Sequence, residues 1–195
     1  MKRIYHNCIR FQSKPFKIKN MKTIVFLTFT LLLGHSAFPQ SKSYKTYVSS
    51  KWGYSIEYQT IFLPKEATGR NVDFKVVDPS GNSIIVVVKK LLPQEEKVTV
   101  DDLLAIPTST WENNLQLPNV KVIKKGIVYV GNQKGMFMHY TSKDLVENYT
   151  LYYTIYFFYY KGYNYTLTGT CEIENLSKMQ PVFFRAFDSF TFPNN

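Results

Sequence analysis

One histidine, one cysteine and a handful of carboxylates are the side chains of this sequence with the chemistry for acid-base, nucleophilic or metal work, once the N-terminal forty residues are set aside. His139 stands in Met136-Phe137-Met138-His139-Tyr140. In an extended strand Phe137 and His139 share one face and Met138 and Tyr140 the other, so a sheet-face histidine is the simpler reading. As the base of a Ser-His-Asp triad, His139 would serve a hydrolase, which is the alternative activity on offer. No G-x-S-x-G elbow accompanies it. Zinc requires several nitrogen and sulfur ligands, and His139 and Cys171 supply only two. Cys171 follows alternating threonines at the end of a predicted strand, which suits a small buried hydrophobe better than a reactive thiol.

Other groupings resolve in the same way. Glu95, Glu96, Asp101 and Asp102 are the densest acids, but they lack calcium-loop spacing and fit a solvated loop and helix start. Gly131-Asn132-Gln133-Lys134-Gly135 lacks the G-x-x-x-x-G-K-[ST] spacing that cradles phosphate and fits a hairpin turn. No catalytic residue, metal site or cofactor is therefore assigned. Aromatic content is the unusual feature: 26 of the 32 Phe, Trp and Tyr residues lie beyond residue 40, densest from Tyr149 to Tyr165. Tyrosine offers a large contact area with a polar tip, and Tyr152, Tyr156 and Tyr160 are the ligand-binding candidates. The competing explanation is a covered central hairpin whose hydroxyls reach the rim.

Elements that would position these residues follow from periodicity. Tyr44 to Ser49 and Tyr54 to Tyr58 alternate around Gly53 and predict a short hairpin. Val72 to Val77 and Ser83 to Leu91 flank Asp78-Pro79-Ser80-Gly81-Asn82, whose residue types suit a tight turn. Thr99 followed by Asp101 and Asp102 predicts a helix start, and Pro107 should kink or split the helix that runs to about Leu115. Val120 to Val130, Lys134 to Thr141, Asn148 to Tyr160 and Tyr163 to Glu172 are predicted strands. Ser177 and Gln180, in capping-box spacing, predict a final helix bearing Val182, Phe183, Ala186 and Phe187. Asn148 to Tyr160 is apolar or aromatic on both alternating faces. A sheet covered on both sides is implied: an α+β, αβα sandwich around a central antiparallel sheet.

Residues 1–40 read as a leader. Met21 to Gln40 has one lysine, an apolar block from Ile24 to Leu33 and a small-residue exit, the pattern of a secretory signal peptide and too short to span a bilayer. The preceding twenty basic residues are either a long n-region or an N-terminal extension ahead of a start at Met21, the favoured reading, and cleavage follows Ala37 or Gln40. Seven of the 24 basic residues lie there with no acid, so the net charge of +10 falls to +3 for residues 41–195, with 17 bases and 14 acids. That balance excludes a polyanion binder, and hence a nucleic-acid partner. Cys8 leaves with the leader, so no intramolecular disulfide is expected, and no cysteine near residues 37–41 offers a lipid anchor. Residues 41–195 are expected to form a single periplasmic or secreted domain without a membrane anchor.

Trp52-Gly53-Tyr54-Ser55-Ile56-Glu57-Tyr58, the Val72-Asp73-Phe74 strand with its Gly-turn hairpin, Gly131 to Gly135 and the ending Phe183-Phe184-Arg185-Ala186-Phe187-Asp188-Ser189-Phe190 together resemble the PsbP-like family. That family is named for an extrinsic subunit of photosystem II, and its fold also occurs in a Ran-GTPase-binding protein and in small bacterial envelope proteins. The resemblance spans most of Ser43 to Phe192 and implies the same αβα sandwich, used as an accessory or binding module. It transfers no catalytic residue. The expected function is an exported non-catalytic domain of the cell envelope that binds an envelope protein or a small ligand.

Overall fold

Alternating β-branched and aromatic residues build the sheet that carries everything else. The computed structural model describes residues 43–192 except Glu147; the expected leader, its start at Met21 and both cleavage positions lie outside the described residues. Nine strands are described: β1 (Tyr44–Val48), β2 (Ser55–Gln59), β3 (Leu63–Pro64), β4 (Val72–Val77), β5 (Ser83–Lys90), β6 (Val120–Val130), β7 (Gln133–Asp144), β8 (Tyr149–Tyr160) and β9 (Tyr163–Glu172). Helices α1 (Val100–Ala105) and α2 (Thr108–Asn114) separate β5 from β6, and α3 (Leu176–Asp188) follows β9. Seven strands form one sheet in the order β3-β4-β5-β9-β8-β7-β6, and β1-β2 stands apart as a hairpin. Every pairing is antiparallel.

The turn between β4 and β5 is organised by Asp78, whose carboxylate accepts from the Ser80 and Asn82 amides and from Asn82 Nδ2 at 2.7–3.0 Å. Asp and Asn favour such local bonds, which is why this hairpin is legible in the sequence. Pro64, unforeseen as a strand residue, sits in the two-residue edge strand β3, where its missing N–H leaves no ladder bond unmade.

Helix starts follow their chemistry in one case and not the other. Thr99 Oγ1 accepts from the Asp102 amide while the Asp102 carboxylate accepts from the Thr99 amide at 2.8 Å, closing a capping box. Pro107 then splits the helix as expected, serving as the N-cap of α2. The box expected at Ser177 and Gln180 does not form. A 3-10 turn over Ile173–Asn175 runs straight into α3, so Asn175 is the N-cap and Ser177 already lies in the first turn.

One sheet face holds the core. Phe74, Val76, Ile84, Val86, Val88, Phe158 and Leu167 are buried there beneath Tyr54, Ile56 and Tyr58 of the β1-β2 hairpin and Phe183 and Phe187 of α3. Each large apolar side chain so buried stabilises by about 1.5–3 kcal/mol. On the opposite face α1 and α2 pack chiefly on β6 and β7, burying Met136, Met138 and Tyr140. Lys125, whose register partner is Met138, donates to the carbonyls of Leu104 and Ile106, while Glu112 accepts the edge amide of Val122 at 2.8 Å. Both faces therefore carry helices, but not equally. On β8, Tyr152, Thr154, Tyr156 and Phe158 are buried, whereas Tyr153, Ile155, Phe157 and Tyr159 are only half-buried. The sheet is covered on both sides, as the composition of β8 implies, and the sandwich is asymmetric because α1 and α2 are too short to reach across it.

Candidate functional site

Strand period places Tyr152, Tyr156 and Tyr160 on one face of β8, the face toward α3. They do not form one patch. Tyr152 is 3% exposed and Tyr156 9%; the Tyr156 ring meets Phe187 at 4.9 Å, and Tyr152 lies 5.8 Å from the His139 ring. Burial, with Asp188 nearby, pushes the Tyr156 phenol up to about 12. Tyr160 is different: it reaches the end of the sheet and stacks on Phe192 at 3.8 Å.

There three distant segments enclose a cavity of about 280 Å³, lined by Lys51, Trp52, Gly53, Tyr160, Lys161, Tyr163, Tyr165 and Phe192. The β1-β2 turn supplies the first three. Ser49 holds it, its hydroxyl accepting from the Trp52 amide at 3.1 Å and its carbonyl from the Gly53 amide at 3.0 Å. The β8-β9 turn supplies Lys161, flanked by Tyr160 and Tyr163. Both central residues of this two-residue turn take positive φ, +46° at Lys161 and +76° at Gly162, as the twist of a tight hairpin demands. The C-terminal segment supplies Phe192, brought into place because Thr191 exchanges backbone hydrogen bonds with Ser55 at 2.8 and 3.0 Å.

The lining is aromatic and its mouth is cationic. Trp52 and Tyr163 meet edge to face at 4.9 Å. Lys51 Nζ lies 4.8 Å above the Trp52 ring and Lys161 Nζ 5.2 Å from the Tyr160 ring, within the reach of a cation-π attraction. Tyr165 forms part of the wall, stacked on Phe158 at 5.4 Å. Burial, reinforced by Tyr163, Tyr160 and Asp73, raises its phenol to about 12 and keeps it a neutral donor. Behind it, Tyr54 donates to Asp73 Oδ2 at 2.7 Å, and Tyr47 donates to the same carboxylate. Burial and that carboxylate hold the Tyr54 phenol far above its ordinary value. Of the three sequence candidates only Tyr160 lines this cavity; Lys51, Trp52, Lys161, Tyr163, Tyr165 and Phe192 were not singled out as a group. The available signal was a cation beside an aromatic residue at each of two predicted turns.

His139 has a different setting. Its ring is flanked by Phe137, Tyr152 and Phe184 at 5.1–5.9 Å, and its cross-strand partners are Lys124 and Thr154. Burial first, then the Lys124 charge, lowers its pKa below 6.5. Thr154 Oγ1 is buried and unbonded among the described residues, so no nucleophile, base and acid are linked here. Cys171 lies opposite Tyr152, buried, with its thiol pushed up to about 11 by burial and by Asp78 and Glu172. The acids are engaged elsewhere: Glu95 with Lys89 at 2.7 Å, Asp101 with Lys134 at 2.8 Å, and Asp102 in its cap. No group of three or more His, Cys, Asp or Glu residues is gathered as a metal site among the described residues.

No protein-family model and no curated protein sequence matches the chain. Solved structures do. The chain is similar to the solution structure of cyanobacterial PsbP from Synechocystis sp. PCC 6803, with 15% identity, a TM-score of 0.55, and coverage of 83% of this chain and 99% of that one. It is similar to the Ran-binding protein Mog1p of Saccharomyces cerevisiae, with 8% identity, a TM-score of 0.51, and coverage of 77% and 96%. A Bacteroides thetaiotaomicron crystal structure matches with 10% identity, a TM-score of 0.53, and coverage of 77% of this chain and 49% of that one. At these identities the likeness shows the fold: the chain has the PsbP-like fold that its residues resemble.

Proposed function

We propose that this PsbP-like chain is an exported, non-catalytic binding domain of the cell envelope and that the aromatic cleft at the sheet end is its ligand site. The observation that carries this reading is the cleft itself: aromatic rings from three separate segments converge on one cavity and leave two lysines at its mouth. A concave site that combines ring surfaces with a few placed polar groups suits small-ligand recognition. His139, surrounded by rings and held towards its neutral form by burial and the Lys124 charge, supports a packing role. The fold favours neither class by itself, since one fold serves many functions; its occurrence in a Ran-binding protein supports a binding role without specifying the partner. No helix among the described residues is long and apolar enough to cross a membrane. The leader-like residues 1–40 support export.

The test is to express the full chain, recover it from the envelope fraction, and identify by native mass spectrometry what it retains. A species held by the wild type and lost from Trp52→Ala and Tyr160→Ala, with the amino terminus found near Ser41, is the expected result. Retention unchanged in both variants overturns the cleft as the site. A turnover abolished by His139→Ala would replace the binding domain with the hydrolase.

A further inference from the structure

We propose that the cleft selects a small aromatic monoanion, one flat ring bearing a single carboxylate; this rests on the cleft being the ligand site. Size comes first: about 280 Å³ lies just below the roughly 300–1,000 Å³ of pockets for drug-sized ligands, which points to one ring and a short substituent. Ring recognition follows from Trp52, Tyr160, Tyr163 and Phe192, whose edges and faces line the same space. The charge of the ligand follows from what stands around the rings. Lys51 and Lys161 line the cavity, no Asp or Glu does, and neither lysine has a carboxylate partner among the described residues. The acid behind the wall, Asp73, is taken up by the hydroxyls of Tyr54 and Tyr47. A cation as ligand would meet repulsion from both lining lysines.

Lys161 gives an independent argument. Its φ of +46° belongs to the left-handed region, which Asn and Gly enter readily and a lysine does not. A residue chosen for the turn alone would be Asn or Gly. The lysine instead places its ammonium over Tyr160 at the mouth of the cavity, so the strain coincides with the one position from which this turn presents a charge to a ligand.

The chain has two tryptophans, so in a Trp111→Phe background Trp52 alone reports on the cleft. Trp111 lies on α2, away from the cleft-lining segments. Fluorescence titration of the full chain would use phenylacetate, phenylacetamide and phenethylamine, which share a ring and differ in charge, with acetate as the ring-free control. Phenylacetate is expected to shift Trp52 emission saturably and to bind about fivefold more tightly than the amide, the upper scale of a partly exposed charge contact. Phenethylamine and acetate should bind more weakly still. Lys161→Gly relieves the turn, so it should raise the melting temperature while reducing, though not abolishing, the preference for phenylacetate over the amide, since Lys51 still lines the cavity. Loss of binding in that variant cannot then be unfolding. Equal affinity for acid and amide, preference for the amine, or an unaffected Lys161→Gly variant overturns the proposal. If phenylacetate fails to bind while an envelope species is still lost from Trp52→Ala, the ligand class is wrong and the site stands; if neither binds, both readings fall.

Discussion

Cys171 and His139 show how a side chain's neighbours decide its chemistry. Cys171 is buried at 1% exposure and its thiol is raised to about 11, so the nucleophilic thiolate is scarce at neutral pH and shielded besides. Labelling by a thiol-specific disulfide reagent at pH 8 should be slow in the folded protein and fast in denaturant; rapid native labelling would contradict this burial. His139 should leave a signature in stability. Its folded pKa lies below the 6.5 of the free side chain, so the unfolded chain accepts a proton that the folded one refuses. Stability from this group is intact above about pH 6.5 and declines as pH falls from there toward the lower folded value. His139→Phe, which keeps the ring contacts, should flatten that acid-side decline when urea midpoints are compared between pH 5 and 8. The strand positions of both residues were legible in the sequence from alternation alone. What alternation did not show was that Phe184, from a helix more than forty residues away in sequence, stacks on the His139 ring at 5.9 Å.

Between elements, the tightest constraint is the seat of α3 on β9. A Cβ at Gly169 would stand 2.6 Å from Phe183 Cγ, closer than any real contact; Gly169 is buried and Phe183 fully so. Gly169→Ala should therefore destabilise by about 1–3 kcal/mol, as overpacking of a filled core does, seen as a lower urea midpoint at unchanged slope. At the exposed turn glycines, such as Gly53 and Gly81, an alanine would meet no neighbour and would cost only the strain of a positive φ. The strands other than β3, the Pro107 break and the Thr99 cap were readable because each depends on residues a few positions apart. The start of α3 was not, because Ser177 and Gln180 satisfy a local pattern that the preceding 3-10 turn overrides by carrying the helix in earlier. Local signals at a helix end compete, and packing of Phe183 and Phe187 under the sheet chooses the register.

At the scale of the whole molecule, the sandwich is closed by its last residues. Thr191 bridges to Ser55, Phe190 stacks on Tyr54 at 4.7 Å, and Phe192 covers Tyr160. Phe192→Ala should open the cleft and abolish the Trp52 response to phenylacetate. The sheet should keep its far-ultraviolet circular dichroism, because Phe192 is only partly buried and packs at the rim of the core; a global loss of structure would show that the tail is part of the folding unit and not only of the site. Composition and periodicity by themselves determined the αβα sandwich, the antiparallel strands and the absence of a motif for catalysis, since those follow from residue type at spacings of two to four. Only the tertiary structure decided that Tyr152 and Tyr156 are core, that Tyr160 is not, and that Trp52, Tyr163 and Phe192 share one cavity with Lys51 and Lys161. The physical reason is distance along the chain: the cavity joins residues 51–53, 160–165 and 192, and no local pattern specifies which ends of a sheet its turns and tail will share.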